Sequence, residues 1–287
     1  MSLVRRIARR IVRGVTGGKS AGTGTEPDYI RFVGDYPSWQ AARSECSGYD
    51  SEDIAERVLQ TTMAVLRGEF AWERDSVGFT ESAYSWPLLS CLLRCAAVNG
   101  GKLRVIDFGG ALGSVFFQHR PMLQSLPLLE WRVVEQPCFV VRGKSFISRH
   151  PLVQGLTFYE SMEQALQAGP ADVLLLSSVL QYLQDPWQSL TEMLALPIPH
   201  VVLDRTAVLR GGESSLLSVQ HVPASIYRAT YPAWFLTENL LHDCFSKGHT
   251  VIGAWQCLEH HSAARGEAEY RGWWIAQKRQ QESVAEL

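Results

Sequence analysis

The chain has 287 residues, 46% of them apolar and 20% charged, with a formal net charge of −2. That is the balance of an ordinary globular protein, and it excludes an electrostatic attraction of the whole molecule for nucleic acid. No run approaches the roughly 20 apolar residues that a membrane span needs.

The charge is unevenly placed. Residues 1–20 carry Arg5, Arg6, Arg9, Arg10, Arg13 and Lys19 and no acid, which leaves 21 basic against 29 acidic residues elsewhere. Residues 3–13 set Leu3, Val4, Ile7, Ile11 and Val12 at helical spacing with arginines between them. This pattern reads as a basic amphipathic helix, suited either to peripheral contact with an anionic membrane or to packing on a partner protein. Residues 14–25 read as a flexible linker, so 1–25 form a leader ahead of the folded chain. The six cysteines are scattered with no Cys-x-x-Cys spacing, and the eight histidines make no ligand cluster. No metal site is expected, and reduced, cytoplasmic surroundings are the simplest reading, peripheral at the inner membrane face if the leader binds there.

Residues 26–99 read as a helical cap region. Ser38 is placed to cap a short helix through Arg43. The acids at 50–53 open a longer one with Ile54, Val58, Leu59, Thr62, Val65 and Leu66 on one stripe, ending at Gly68. Residues 70–77 look irregular. Within them Glu73, Arg74 and Asp75 either line a site or form a surface ion-pair cluster. A third helix spans 88–98, and Asn99-Gly100-Gly101 breaks the chain before the central strand.

Residues 100–280 read as one α/β domain with an insertion at 205–235, followed by a 281–287 tail. A buried strand at 103–108 runs into Asp107-Phe108-Gly109-Gly110-Ala111-Leu112-Gly113 and a helix from about Ser114. This is not the Gly-x-Gly-x-x-Gly register of a dinucleotide loop, because Ala111 and Ser114 stand where glycines are required. A carboxylate at Asp107 would repel a pyrophosphate but suits a ligand with an ammonium group. The next strand, 131–135, ends at Glu135, 22 residues after Gly113. An acid at about that distance is placed to hold a ribose diol. Further strands at 156–159, 171–177 and 200–204 alternate with helices, as a parallel sheet with both faces covered requires. Right-handed crossovers gather Gly109, Glu135, Glu160, Ser177 and Asp204 at one edge. A helix at 236–245 and two strands at 250–258 and 271–277 close the chain.

The loop, with Gly110 and Ala111 at its centre, resembles motif I of the class I S-adenosylmethionine-dependent methyltransferases, with Ala111 in place of the middle glycine. The resemblance implies a Rossmann-like sheet, mostly parallel with its last strand antiparallel, and S-adenosyl-L-methionine as cofactor. It also implies an adenine subsite at Tyr159, Glu160 or Ser161 and a methionine end near Ser177. Family members often carry a histidine near Gln181, which is absent here. The segments Gly48-Tyr49-Asp50-Ser51, Glu73-Arg74-Asp75-Ser76-Val77, Asp204-Arg205-Thr206, Gln220-His221-Val222-Pro223 and Tyr231-Pro232-Ala233-Trp234-Phe235 look like one family of bacterial methyltransferases associated with surface-polysaccharide biosynthesis. That narrower resemblance covers roughly residues 36–277 and implies O-methylation of a sugar or glycan. For such a reaction His221 is the first candidate base, by its ordinary pKa, and Asp204 the second. Tyr227, Tyr231 and Trp234 are the candidates for holding the acceptor. A nicotinamide-dependent sugar oxidoreductase and a catalytically degenerate scaffold remain the alternatives.

Overall fold

The structure, a computed structural model, describes residues 28–47, 52–209, 213–263 and 266–278. The basic leader, the 281–287 tail and the Gly48-Tyr49-Asp50-Ser51 segment lie outside the described residues. The chain begins with β1 (Arg31–Val33), α1 (Trp39–Arg43), α2 (Glu52–Leu66), a hairpin of β2 (Trp72–Arg74) and β3 (Val77–Phe79), and α3 (Trp86–Val98). The repeating β/α region follows: β4 (Lys102–Phe108), α4 (Ser114–Leu123), β5 (Leu128–Val134), α5 (Pro137–Arg149), β6 (Leu156–Tyr159), α6 (Met162–Gln167), β7 (Val173–Ser177), α7 (Pro186–Leu194) and β8 (His200–Leu209). Strands β9 (Leu216–Val222) and β10 (Ala229–Phe235), helix α8 (Glu238–Ser246) and the long hairpin β11 (His249–Ala263) and β12 (Gly266–Gln277) complete it.

Seven strands form the central sheet in the order β11-β12-β8-β7-β4-β5-β6. β4 to β8 are mutually parallel, and β12 runs antiparallel to both of its neighbours. This is the mostly parallel sheet with an antiparallel last strand that the sequence implies. Every residue of β7, Val-Leu-Leu-Leu-Ser, is buried, as a strand covered on both faces must be. One face packs Leu88, Leu92, Phe116, Trp131 and Phe139 beneath the first helices. The other packs Ile106, Leu174, Leu190, Leu241 and Phe245 beneath α6, α7 and α8. Ser38 does cap α1, accepting the Ala41 N–H.

One segment departs from the expectation. Residues 70–77 are not irregular: β2 and β3 pair with Arg74 opposite Val77, so Asp75 and Ser76 form a two-residue turn. Both have positive φ, 49° and 63°, as the turn that matches strand twist demands. The 205–235 insertion contributes two strands, β9 and β10. β9 and β10 form a second sheet with β1, in the order β1-β9-β10. The 26–99 region is therefore not wholly helical, and its first strand belongs to the same sheet as the insertion.

The acid that leads β7 has a structural task. Asp172 accepts the Arg104 N–H at 2.8 Å and the Asn99 side-chain amide at 3.0 Å, tying the start of β7 to β4. Asp172→Ala is expected to lower stability by about 1–3 kcal/mol, the range for hydrogen bonds to a charged group. Urea unfolding measures it.

Candidate functional site

β4 delivers Asp107 to the carboxyl edge of the sheet and then turns sharply. Gly109 has φ +74°, and a Cβ there would lie 2.4 Å from a Val179 methyl. A Cβ on Gly110 would lie 2.5 Å from Asp107 Oδ2. Both positions therefore exclude any side chain. Ala111 has φ +50°, a left-handed conformation that costs an L-residue roughly 1–2 kcal/mol. The loop thus keeps the bend of a glycine-rich motif although its middle glycine is missing.

Above this edge lies a cavity of about 690 Å³, within the range of about 300–1,000 Å³ usual for small-molecule sites. Its floor holds Asp107, Gly109, Gly110, Ala111 and Ser114, then Glu135 and Glu160 at the ends of β5 and β6, and Ser177 to Val179 after β7. Its far wall is built by the second sheet and the hairpin turn, with Trp39, Arg74, Asp75, Gln220, Tyr227 and Tyr231. Tyr182 Oη donates to Gln220 Oε1 at 2.9 Å, and Gln220 Nε2 donates to Tyr231 Oη at 3.0 Å. Burial pushes Tyr182 up to about 12 and Tyr231 well above the ordinary tyrosine value, so both phenols stay neutral.

Of the residues singled out in the sequence, Asp107, Gly109, Gly110, Ala111, Glu135, Glu160, Ser177, Tyr227 and Tyr231 line this one cavity. Five others do not. Gly113 abuts Leu156 and starts α4, so it serves helix–sheet packing. Ser161 caps α6 by accepting the Gln164 N–H. Asp204 is buried, with Oδ2 taking the Ser177 hydroxyl and Oδ1 the Trp255 indole N–H. Two residues, Asp204 and Arg205, oppose the single Gly272 of β12. This bulge turns Arg205, not Asp204, to the cavity. His221 sits between Gln220 and Val222, which both face the cavity; strand alternation turns His221 to the other face. Trp234 stacks on Trp39 at 6.5 Å, and it is Trp39 that reaches the wall. The base expected at His221 or Asp204 is accordingly corrected: neither side chain reaches the cavity.

The residues missed by sequence reasoning are Trp39, Tyr182, Arg205 and Gln220. Tyr182 follows an acid-led strand at the sheet edge, a position that sequence reasoning can reach. Trp39 and Gln220 arrive through pairing of the second sheet, which no local pattern announces. Strain marks the site as well. Five described non-glycine residues have positive φ, and four of them, Asp75, Ala111, Ser178 and Arg205, line the cavity. Such residues persist where the surroundings over-determine them, commonly at binding sites.

The sheet order, with an antiparallel last strand and a glycine loop after a central strand, is the α/β arrangement that the sequence resemblance implies. No protein-family model matches the chain, and no curated protein sequence matches it. Among solved structures it is similar to the N-terminal domain of EvdMO1 in the presence of SAH and D-fucose, at 15% identity over 80% of this chain and 97% of that one, TM-score 0.45. It is similar to the [4+2]-cyclase SpnF, at 13% identity over 85% and 98%, TM-score 0.47. Magnesium protoporphyrin IX methyltransferase (ChlM) from Synechocystis PCC 6803 with bound SAM matches at 14% identity over 81% and 99%, TM-score 0.42. These likenesses are of fold alone. Among the described residues no helix is long and apolar enough to cross a membrane, and no cluster of side chains is arranged to hold a metal.

Burial raises the Asp107 carboxyl to about 7, while the Trp131 hydrogen bond opposes the shift. A raised carboxyl is still protonated in the folded chain where the unfolded chain has already ionised. Its contribution to stability is therefore lost as pH rises from about 4 to about 7. Asp107→Asn removes this dependence and keeps an acceptor for Trp131. Thermal melts at pH 5 and pH 8 should show a smaller fall in Tm for the variant than for the wild type.

Proposed function

We propose that the chain is an S-adenosylmethionine-dependent methyltransferase acting on a hydroxyl of a sugar or glycan. One observation carries the reading. The tightly bent 109–111 loop and the buried Asp107 carboxylate face the same cavity, and Asp107 Oδ1 has no hydrogen-bond partner. That arrangement fits a cationic ligand and opposes a pyrophosphate. Glu135, on the same wall, is placed for the ribose diol, and Glu160 lies at the next strand end for the adenine edge.

The bound cofactor supplies an electrophilic methyl group, so the chain's tasks are alignment, exclusion of water and removal of one proton. The neutral phenols of Tyr182 and Tyr231, fixed through Gln220, orient an acceptor hydroxyl. Trp39 and Tyr227 offer apolar faces to a sugar ring. With His221 and Asp204 turned away, Asp75 is the carboxylate left at the acceptor end. It sits on the rigid hairpin turn, lines the cavity, and lies close enough to raise the pKa of both tyrosines. It takes the acceptor proton.

Calorimetry tests the cofactor assignment. S-adenosylmethionine and its demethylated product should bind, and NAD should bind poorly. Glu135→Ala should weaken cofactor binding by about 1–3 kcal/mol, the range for a lost hydrogen bond to a charged group. Gly109→Val should abolish binding in a folded protein, since its Cβ has no room beside Val179. Tight NAD binding would favour the oxidoreductase alternative, and a folded protein that binds none of the three would favour the scaffold.

A further inference from the structure

The lining of the cavity is divided by charge. The ends of β4, β5 and β6 set three carboxylates on the floor, Asp107, Glu135 and Glu160. The far wall carries two arginines, Arg43 of α1 and Arg74 of β2, against the single carboxylate of Asp75. Arg205 also lines the cavity, but its Nε lies 3.9 Å from Asp204 Oδ2, so an acid behind it already balances its charge. Neither Arg43 nor Arg74 is needed to align the methyl donor or to remove the acceptor proton.

Both arginines stand on packed structure. Ala42, beside Arg43, is fully buried with Leu217 and Val219 of β9, which fastens the short α1 to the second sheet. After the helix the chain doubles back, with the Cys46 N–H donating to Arg43 O at 3.0 Å. Ser47 then makes a reciprocal pair with β10. Its N–H donates to Thr230 Oγ1 at 2.8 Å, and the Thr230 N–H donates to Ser47 Oγ at 3.0 Å. Thr230 precedes Tyr231, so the segment that carries Arg43 borders the cavity beside that tyrosine. Arg43 is exposed, and its guanidinium makes no hydrogen bond or ion pair with the described residues. Arg74 lies over the Trp72 ring, 5.0 Å from its centroid, and Trp72 is buried and stacks on Phe79. The same wall offers apolar surface through Ile30, Phe32 and Trp39.

A guanidinium presents a fork of N–H donors that matches a phosphate, and a fork fixed in place loses less freedom on binding. An anion that enters this cavity is repelled by the carboxylates of the floor and drawn to the arginines of the wall. A cationic cofactor on the floor and an anionic acceptor on the wall then complement one another. We propose that the acceptor is a sugar that carries a phosphate or diphosphate, that Arg43 and Arg74 hold this group, and that Ile30, Phe32 and Trp39 take the apolar or aromatic part of its carrier. The proposal rests on the methyltransferase reading above. The carrier is a nucleotide or a lipid, and the phosphate ester that the arginines recognise is common to both.

The experiment is titration calorimetry of the full chain saturated with S-adenosylhomocysteine. Uridine diphosphate is compared with uridine, and geranyl diphosphate with geraniol. At least one diphosphate should bind about tenfold tighter than its uncharged partner, the worth of a hydrogen bond to a charged group, and the one that does so names the carrier. Arg43→Gln and Arg74→Gln should each weaken that diphosphate by about tenfold on the same ground. Arg43→Gln should leave the affinity for S-adenosylhomocysteine unchanged, because Arg43 stands on the second sheet and not on the floor. If Arg74→Gln fails to fold, the exposed Arg43 still decides. Uncharged partners that bind as tightly as their diphosphates, no binding of either diphosphate, or wild-type diphosphate affinity in a folded variant overturns the proposal while the cofactor reading stands. So does a diphosphate that expels S-adenosylhomocysteine, or a loss of S-adenosylhomocysteine affinity in Arg43→Gln, since either puts the arginines at the cofactor. A wild-type chain that does not bind S-adenosylhomocysteine overturns both.

Discussion

The rest of the site depends on a carboxylate with no room around it. Asp107 ends β4 under the backbone of Gly110, with the Trp131 indole against one oxygen. Because Gly110 must pass so close, its side chain is excluded, and the chain can leave β4 only through a tight bend. Trp131 is itself fully buried and packs on Phe116 of α4, with ring centroids 5.9 Å apart. The strand before the loop, the helix after it and the neighbouring strand are therefore all fixed with reference to one side chain. Burial makes that side chain an expensive anion, and the same burial makes it a strong partner for any cation that enters.

The floor of the cavity is built by the strand ends of the central sheet, whereas the far wall is built by the second sheet and the hairpin turn. One tie joins them, and two more fix the wall itself. Tyr182, which follows β7, reaches Gln220 of β9. Ser76 of the hairpin turn donates to the Ile226 carbonyl, and Arg57 of α2 donates to the same oxygen. Ile226 lies between β9 and β10, so the hairpin, α2 and the second sheet share one anchor. That end of the cavity is consequently framed by hydrogen-bonded strands, and Asp75 sits on a turn anchored through Ser76.

Much of the floor was legible in the sequence because it obeys local rules. Asp107, Gly109, Glu135 and Glu160 are read from strand ends and spacing, and the topology of a parallel sheet brings them together. Ser161 was legible too, but in the wrong role, since a serine ahead of a helix caps it more readily than it binds a ligand. The wall was not legible in the same way. Phe32 pairs with Gln220 across 188 positions of sequence, and nothing local in either segment reports that pairing. His221 shows how far this matters. Its chemistry made it the preferred base, but its face of the strand depends on register, and a shift of one residue exchanges His221 for Gln220.

The bulge at Asp204 and Arg205 carries the same lesson into electrostatics. Without it, strand-end reasoning would place an acid at the cavity beside Ser177. With it, Asp204 turns inward to Ser177 and Trp255, and the strained Arg205 reaches the wall. The site exchanges a negative group for a positive one at that edge. Asp107 and Asp75 are then carboxylates at different parts of the cavity lining, one at the loop and one on the hairpin turn, with Arg205 influencing both Asp107 and Tyr182.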